Sequence, residues 1–232
     1  MSSTPTERPF DRLRVLAVQE KDVTPTLRHV EIYSMEGLLT LLWHGPAEAK
    51  HAVLMCGGAM GGLLGPAGGL YHDLGESFAA RGIATLRVGY RRPNDLGACV
   101  IDVGAAADLA NRHGAERFVT VGHSFGGAVA LNAAIALRRR TVGVVTLATQ
   151  SAGCENAAAL GTIPLLLFHG DMDELLPLHA SEMVQALAGT GELVVLEGTG
   201  HLFTQAGEVL RKRLGEWIPE RLASSDTKEN AS

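Results

Sequence analysis

Short apolar runs and segments with helical spacing alternate along most of the chain. Two strands are predicted first, at residues 27–33 and 38–43, joined by a turn so that they can pair as an antiparallel hairpin. Continuous apolar runs then recur at residues 52–55, 83–88, 118–121, 142–148, 163–168 and 193–196. Segments with helical periodicity separate them, at residues 70–81, 96–112, 125–140, 179–187 and 205–222. Apolar runs without polar alternation indicate strands buried on both faces. The pattern therefore predicts an α/β fold with a mostly parallel central sheet of about eight strands flanked by helices.

Between its polar ends the chain has no linker, charge block or long repeat. Its 232 residues suit one domain at residues 12–222, with flexible tails expected at residues 1–11 and 223–232. The N-terminal segment lacks the apolar core of a secretory signal, and the longest apolar runs are far too short to span a bilayer. We therefore expect a cytoplasmic protein with no membrane partner.

Composition and charge exclude several classes of protein. A hydrophobic fraction of 46% with 19% charged residues rules out disorder for most of the chain. The net charge of −5 argues against nucleic acid as a partner, because binding the phosphate backbone needs clustered positive charge. Three cysteines, Cys56, Cys99 and Cys154, are too few and too scattered for a disulfide framework or a zinc site.

A G-x-S-x-G sequence, formed by Gly122, Ser124 and Gly126, joins a predicted strand to a predicted helix. In such a turn the serine backbone is strained, and side chains two positions to either side would collide with the neighbouring chain. The turn presents the Ser124 hydroxyl at the positive end of the helix, where the Phe125 N–H can point at a developing oxyanion. The alternative is that Ser124 only caps the helix and the glycines make a tight connection. The strand before and the helix after favour a catalytic serine.

With these residues the chain resembles the α/β-hydrolase family, and the resemblance extends over about residues 27–218. The family's H-G-x-x-D-x-x-[VL]-P pattern is similar to residues 169–177 and falls on Asp173. Asp171 is an alternative acid, although at that position it would more readily cap the turn. The family's G-x-G-H pattern is similar to residues 198–201 and falls on His201, which completes the order Ser, Asp, His along the chain.

The resemblance implies a catalytic triad of Ser124, Asp173 and His201. The imidazole would accept the serine proton, and the aspartate would fix the tautomer of the imidazole. A second oxyanion donor is expected from the loop after residues 52–55. Gly58 and Ala59 are both candidates, because a cysteine stands at residue 56 where the family usually has histidine. This chemistry needs no metal and no organic cofactor.

The substrate pocket has five candidate side chains near the glycine loop or at strand ends: Met60, Tyr71, His72, Arg91 and Gln150. For Tyr71, His72 and Arg91, surface or helix-starting positions are an equally good interpretation, and Arg91 could instead pair with a structural carboxylate. Many α/β-hydrolases insert a helical lid after the strand that ends here at residue 148. Residues 149–162 are too few for one, so the chain resembles the lidless branch that includes dienelactone hydrolase-like proteins and small carboxylesterases.

The activity expected from this resemblance is hydrolysis of a small or exposed ester, thioester or lactone through an acyl-enzyme. The only partner expected is the small-molecule substrate, and an open site disfavours lipase activity on long acyl chains. Peptide-bond cleavage by the same triad is one alternative, although peptidases of this fold usually carry an additional domain. A non-catalytic binding or scaffold protein is another alternative, and such a role would not require all three triad residues.

Overall fold

The computed structural model describes residues 8–229, which form one nine-stranded sheet and six α-helices. The strands are β1 Val15–Asp22, β2 Leu27–Ser34, β3 Gly37–His44, β4 His51–Cys56, β5 Ala84–Gly89, β6 Arg117–His123, β7 Thr141–Leu147, β8 Leu165–Gly170 and β9 Glu192–Leu196. The helices are α1 Pro9–Arg12, α2 Leu70–Ala79, α3 Leu96–Arg112, α4 Phe125–Ala136, α5 His179–Ala188 and α6 Gly207–Glu229. Within residues 8–229, no helix combines the length and the apolar character that a membrane crossing requires.

The sheet confirms the predicted α/β fold and its mostly parallel arrangement. Its strand order is β1-β2-β3-β5-β4-β6-β7-β8-β9. From β5 to β9 along this order, neighbouring strands are parallel, whereas β1, β2 and β3 are attached antiparallel at one side. The pair β2–β3 is the predicted hairpin. The prediction of about eight strands missed β1, because all of its residues after Val15 are exposed and its sequence carries no burial pattern.

Helices cover both faces of the sheet, which explains why the central strands are uninterrupted apolar runs. Helices α2 and α6 pack on one face, and α3, α4 and α5 pack on the other. Strand β8 is buried along its whole length, and β4 is buried from Ala52 to Cys56. Apolar burial contributes roughly 25 cal/mol per Å². Burial of these strands therefore stabilises the sheet. This leaves the loops at the carboxyl ends of the strands available for function.

The direction in which strands are added reverses between β4 and β6. After β4 the chain returns to β5 on one side, whereas β6 to β9 are added on the other side. At this point Cys56, the last residue of β4, pairs with Gly122 of β6. The loops that leave these two strands diverge and open a crevice, which is the usual ligand position in open α/β sheets.

The ends of the domain differ from the predicted tails. Residues 1–7 and 230–232 lie outside the described residues. Helix α1 nevertheless begins at Pro9 and buries Phe10, and α6 continues past Leu222 to Glu229. Helix α1 therefore begins inside the predicted N-terminal tail, and α6 extends into the predicted C-terminal one. The predicted helix at residues 125–140 is also too long, because the chain turns through residues 137–140 before β7 begins.

The connection between β7 and β8 is as short as the sequence predicts. Residues 148–164 contain only a single turn of 3-10 helix, Ala157–Leu160, which packs under α4 and α5. Its inward side chains are Ala157 and Leu160, both buried. At this place in the described chain there is no inserted lid, and the crevice beside β6 remains uncovered by this connection.

A buried ion pair ties the loop after β5 to helix α3. The backbone N–H and the Nε of Arg91 donate to the two carboxylate oxygens of Asp102, at 2.9 and 2.5 Å. The Asp102 side chain is fully buried and that of Arg91 is 5% exposed. Arg91 is thus the partner of a structural carboxylate. Removing one member of such a pair leaves an uncompensated charge in the interior.

We expect Asp102→Asn to lower the free energy of unfolding by about 3 kcal/mol, because the Arg91 charge then lacks its counterion. Urea unfolding followed by circular dichroism measures the change. The matched control is Asp22→Asn, which removes a carboxylate 3.6 Å from Arg28 whose side chain is 85% exposed. That change is expected to cost less than about 0.5 kcal/mol. Equal losses in the two variants would contradict the prediction.

Candidate active site

Ser124 occupies the turn between β6 and α4 with φ 58° and ψ −122°. Such a backbone conformation costs a non-glycine residue about 1–3 kcal/mol and needs support from its surroundings. The support comes from two hydrogen bonds. The Ser124 N–H donates to the Leu147 carbonyl at 2.8 Å, and the Gly127 N–H donates to the Ser124 carbonyl at 2.9 Å. Among the described residues, the Ser124 hydroxyl caps no N–H group of α4, so the helix-cap interpretation does not account for this serine.

The glycines around Ser124 are required by close backbone contacts. A Cβ on Gly122 would overlap the carbonyl of Gly126, and a Cβ on Gly126 would overlap the carbonyl oxygens of Cys56 and Gly57. The turn is consequently too tight for side chains at either flanking position. Gly58 lies beside the serine, since a Cβ built on it would stand 3.8 Å from the Ser124 Cβ.

Asp173 and His201 meet at the ends of two neighbouring parallel strands. Asp173 follows β8 and His201 follows β9. The His201 Nδ1 lies 2.8 Å from the Asp173 Oδ2, and both side chains are buried. Because a carboxylate can only accept, Nδ1 carries the proton and Nε2 of the neutral ring is left as a base. His201 and Ser124 line the same cavity.

The Asp173 carboxylate accepts hydrogen bonds from three donors, and His169 lies beside it. Its Oδ1 accepts the backbone N–H groups of Leu175 and Leu176, at 2.9 and 2.8 Å. Its Oδ2 lies 3.2 Å from Nε2 of His169 in addition to His201. Burial raises the pKa of Asp173, but the Leu176 N–H, the His201 imidazole and the Leu175 N–H outweigh it and hold the pKa below its ordinary value. The Asp173 carboxylate is therefore ionised near pH 7, as its role as acceptor for His201 requires.

His169 positions this acid through a defined tautomer. Its Nε2 lies 3.0 Å from the Leu176 carbonyl, which can only accept, so Nε2 carries the proton. Its Nδ1 then accepts from the Ser181 hydroxyl at 2.7 Å. His169 is the first residue of the H-G-x-x-D pattern, but the pattern alone indicates no role for it.

The two other acids of this loop lie in different environments. Asp171 is exposed, and of the two candidate aspartates it is Asp173 that is hydrogen-bonded to His201. Glu174 is also exposed, but its Oε2 accepts the backbone N–H of His201 at 3.1 Å. The loop after β8 therefore holds both the ring and the backbone of His201.

His123 is a member of the site that was not predicted from the sequence. Its Nε2 donates to the His201 carbonyl at 3.0 Å, and the two rings are 4.8 Å apart. Burial lowers the pKa of His123 to about 4. The ring is thus neutral near pH 7 and binds the His201 carbonyl, whereas Glu174 binds the His201 N–H. Its position as the variable residue of G-x-S-x-G gave no sequence signal for this role.

Two buried tyrosines hold the base of the glycine loop. The Tyr71 hydroxyl donates to the Cys56 carbonyl at 2.9 Å, and the Tyr90 hydroxyl donates to the Gly57 carbonyl at 3.2 Å. The Tyr71 oxygen also accepts the backbone N–H of His123. Burial raises the pKa of the Cys56 thiol to about 12, so this cysteine is not a reactive thiolate near pH 7.

A cavity of about 520 Å³ lies above Ser124 at the end of the sheet. Glycines 57, 58, 61, 62 and 65 form one wall together with Ala59. The larger lining side chains are apolar: Met60, Leu63, Leu64, Leu175 and Leu202. The polar side chains of the lining are Ser124, His123 and His201, so the described lining contains no lysine or arginine.

Four of the five predicted pocket residues lie elsewhere, and Met60 is the one that lines the cavity. Tyr71 is fully buried beneath the loop, and the exposed His72 lies beside His44. Arg91 is held by Asp102, and the Gln150 amide donates to the Ala152 carbonyl at 2.8 Å. For Tyr71 and His72, proximity in sequence to the glycine loop does not determine which face of α2 the side chain occupies.

One family model matches part of the chain. Residues 103–207, a little under half of the chain, match the model of a phospholipase/carboxylesterase family. That segment contains Ser124, Asp173 and His201. No curated protein sequence matches the chain. The strand order, the strained serine turn and this match support an α/β-hydrolase fold for the chain.

Solved structures resemble the chain over most of its length. Est1E from Butyrivibrio proteoclasticus is 18% identical with a TM-score of 0.71, covering 84% of this chain and 99% of Est1E. Dienelactone hydrolase from Anabaena variabilis is 21% identical with a TM-score of 0.69, covering 88% and 98%. An alpha-beta serine hydrolase homologue from Coxiella burnetii is 18% identical with a TM-score of 0.65, covering 84% and 98%. At these identities the likeness establishes the fold.

We expect Gly126→Ala to lower the free energy of unfolding by about 3 kcal/mol, because the added Cβ pushes into the carbonyls of Cys56 and Gly57. Urea unfolding measures the loss. Gly215→Ala, within α6, is the matched control, since its Cβ would meet nothing within 4 Å. There the same substitution should stabilise by about 0.5–1 kcal/mol, the helix preference for alanine. Similar effects at the two positions would show that the contact at Gly126 is not tight.

Acid is expected to destabilise the protein through its buried histidines. The pKa of His123 and that of His44 are both lowered to about 4, chiefly by burial, from an ordinary value of 6.5. Between these values the unfolded chain binds protons that the folded chain does not. Stability is therefore lost as the pH falls from 6.5 towards 4, by up to about 1.4 kcal/mol per pH unit for each histidine.

Urea unfolding at pH 7.0 and 5.0, with ring-proton NMR of the histidines, tests this expectation. The His123 and His44 signals should not titrate above pH 5. A midpoint near 6.5 for either ring, or an unfolding free energy that is the same at both pH values, would overturn it.

Proposed function

We propose that the protein is a serine hydrolase that cleaves small or exposed carboxylic esters, thioesters or lactones through an acyl-enzyme. One observation carries the proposal. A serine in a strained strand-to-helix turn shares a cavity with a histidine whose other ring nitrogen is hydrogen-bonded to a buried carboxylate. The three residues lie after three different strands. Neither a helix cap nor core packing requires them to meet.

In the proposed reaction Ser124 is the nucleophile and His201 is the base. The Ser124 Oγ attacks the carbonyl carbon while Nε2 of His201 takes the hydroxyl proton. Asp173 stabilises the imidazolium that forms. The C–O or C–S bond to the leaving group then breaks, and His201 returns the proton to the departing oxygen or sulfur. Water, deprotonated by His201, next attacks the acyl-serine ester and releases the acid and the free serine.

Backbone N–H groups are proposed to stabilise the tetrahedral oxyanion. The Phe125 N–H lies in the first turn of α4, where N–H groups have no partner within the helix. The second donor is proposed to come from Gly58 or Ala59, which stand at the cavity wall beside Ser124. A donor aimed at the developing charge typically accounts for about 10²–10³ in kcat.

The character of the cavity supports an uncharged substrate. Its larger lining side chains are leucines and Met60, and its described lining offers no cation to bind a carboxylate. Arg91, which the sequence placed near the site, pairs instead with Asp102, and the neighbouring Arg92 pairs with Glu36. The connection after β7 leaves the site without an inserted cover, which suits esters that protrude from a larger molecule.

Fluorophosphonate labelling and hydrolysis of short p-nitrophenyl esters test the proposal. We expect Ser124→Ala and His201→Ala to abolish labelling and to lower kcat by about 10⁴–10⁶. We expect Asp173→Asn to lower kcat by about 10⁴, because His201 then loses the partner that sets its tautomer.

The matched control for Asp173→Asn is Asp171→Asn, the same change two residues away at an exposed position. It should leave kcat within about twofold, as expected for a surface substitution. Folding of each variant is checked by circular dichroism. A folded parent protein that neither labels nor hydrolyses any of the esters would refute the proposed function. Equal losses at residues 171 and 173 would refute the assignment of the acid.

A further inference from the structure

Two histidines and a glutamate converge beside α2, and none of the three lines the catalytic cavity. His72 and Glu76 are four residues apart on α2, which places them on one side of the helix. His44 ends β3 and reaches them from the sheet. One nitrogen of each histidine and one carboxylate oxygen all lie within 4.8 Å of one another. His44 Nδ1 and Glu76 Oε1 are already 2.9 Å apart.

The approach of His44 to α2 requires a glycine inside that helix. Gly75 lies in the interior of α2, where glycine is unfavourable by about 1 kcal/mol relative to alanine. A Cβ at this position would lie 2.6 Å from the His44 ring. The glycine therefore admits the imidazole against the helix. The Glu76 Oε2 accepts from the Thr26 hydroxyl at 2.8 Å, so the carboxylate is oriented by a neighbour outside the cluster.

The donor set suits a particular class of ion. Two imidazole nitrogens and one carboxylate oxygen are the ligands of zinc-type ions, whereas Mg²⁺ and Ca²⁺ prefer oxygen alone. Ligands of one tetrahedral zinc ion stand about 3.3 Å apart. The His44–Glu76 pair is already near this separation, and His72 is exposed, so rotation of its side chain can close the rest.

The charges around the cluster are mixed. Glu76 supplies one negative charge. Because its carboxylate only accepts, the His44 Nδ1 carries the proton in this arrangement, and that proton must leave Nδ1 before this nitrogen binds an ion. The Arg87 guanidinium lies close enough to lower the pKa of His44 and opposes a cation. Its Nη1, however, donates to the Leu63 carbonyl at 3.1 Å. Because the Arg87 charge lies near the cluster, we expect weaker ion binding here than at a four-ligand structural site.

We propose that His44, His72 and Glu76 bind one divalent ion of the zinc type, with the remaining coordination positions taken by water. Such an ion would join the end of β3 to α2. Helix α2 follows the glycine loop directly, and its Tyr71 holds that loop through the Cys56 carbonyl. The bound ion is expected to stabilise this part of the fold. The site is separate from the triad and does not rest on the proposed hydrolase activity.

Titration of the chelator-treated protein with Co²⁺ and with Zn²⁺ tests the site. Visible absorption of bound Co²⁺ and calorimetry with Zn²⁺ should each give one equivalent per chain. Zinc at a hundred times its dissociation constant should raise the unfolding midpoint by about 5–10 °C. His72→Ala and Glu76→Gln should each weaken binding at least about tenfold and remove most of this shift.

The matched control is His179→Ala. His179 and Glu182 form an exposed pair on α5 at 3.3 Å, but the described residues supply no third ligand there. This variant should bind the ions as the parent does. The proposal is overturned if the parent binds no stoichiometric Co²⁺ or Zn²⁺, or if binding survives both His72→Ala and Glu76→Gln. In either case the cluster is a hydrogen-bonded arrangement only.

Discussion

The contact of backbone against backbone at the junction of β4, β6 and α4 is the constraint on which the rest of the structure depends. Gly126 lies directly against the carbonyl oxygens of Cys56 and Gly57, at a separation that admits no side chain. This contact sets the distance between the glycine loop and the first turn of α4. It lies where strand addition reverses, so one packing condition determines both the geometry of the sheet and the width of the crevice above Ser124.

Around this junction the polar groups of the site hold one another by hydrogen bonds whose directions are fixed. Acceptor-only carbonyls and carboxylates determine which nitrogen of His123, His169 and His201 carries the proton. Burying a polar group costs free energy unless the group is hydrogen-bonded. The buried polar groups of this site are hydrogen-bonded to one another, which favours a single arrangement. The backbone of His201 is held by His123 and Glu174, and its ring is held by Asp173.

Much of this architecture could be predicted from the sequence because its signals are local. Central strands are uninterrupted apolar runs, and the segments around Ser124, Asp173 and His201 are short patterns at strand ends. Features that depend on which side chains meet across the fold could not be predicted. Tyr71, His72 and Arg91 follow the expected loops but point to other partners. His44 and Glu76 are 32 residues apart, and no sequence pattern connects them.

Strand β1 was missed for a related reason, since pairing with β2 rather than burial makes it a strand. It is also an outer edge of the sheet, where unpaired N–H and C=O groups can recruit a strand from another molecule. Its second half carries Glu20, Lys21 and Asp22, and its register shifts between Val15 and Ala17. Charges and irregularities of this kind discourage edge-to-edge aggregation. The charged composition that conceals β1 from pattern analysis therefore also disfavours pairing of this open edge with another strand.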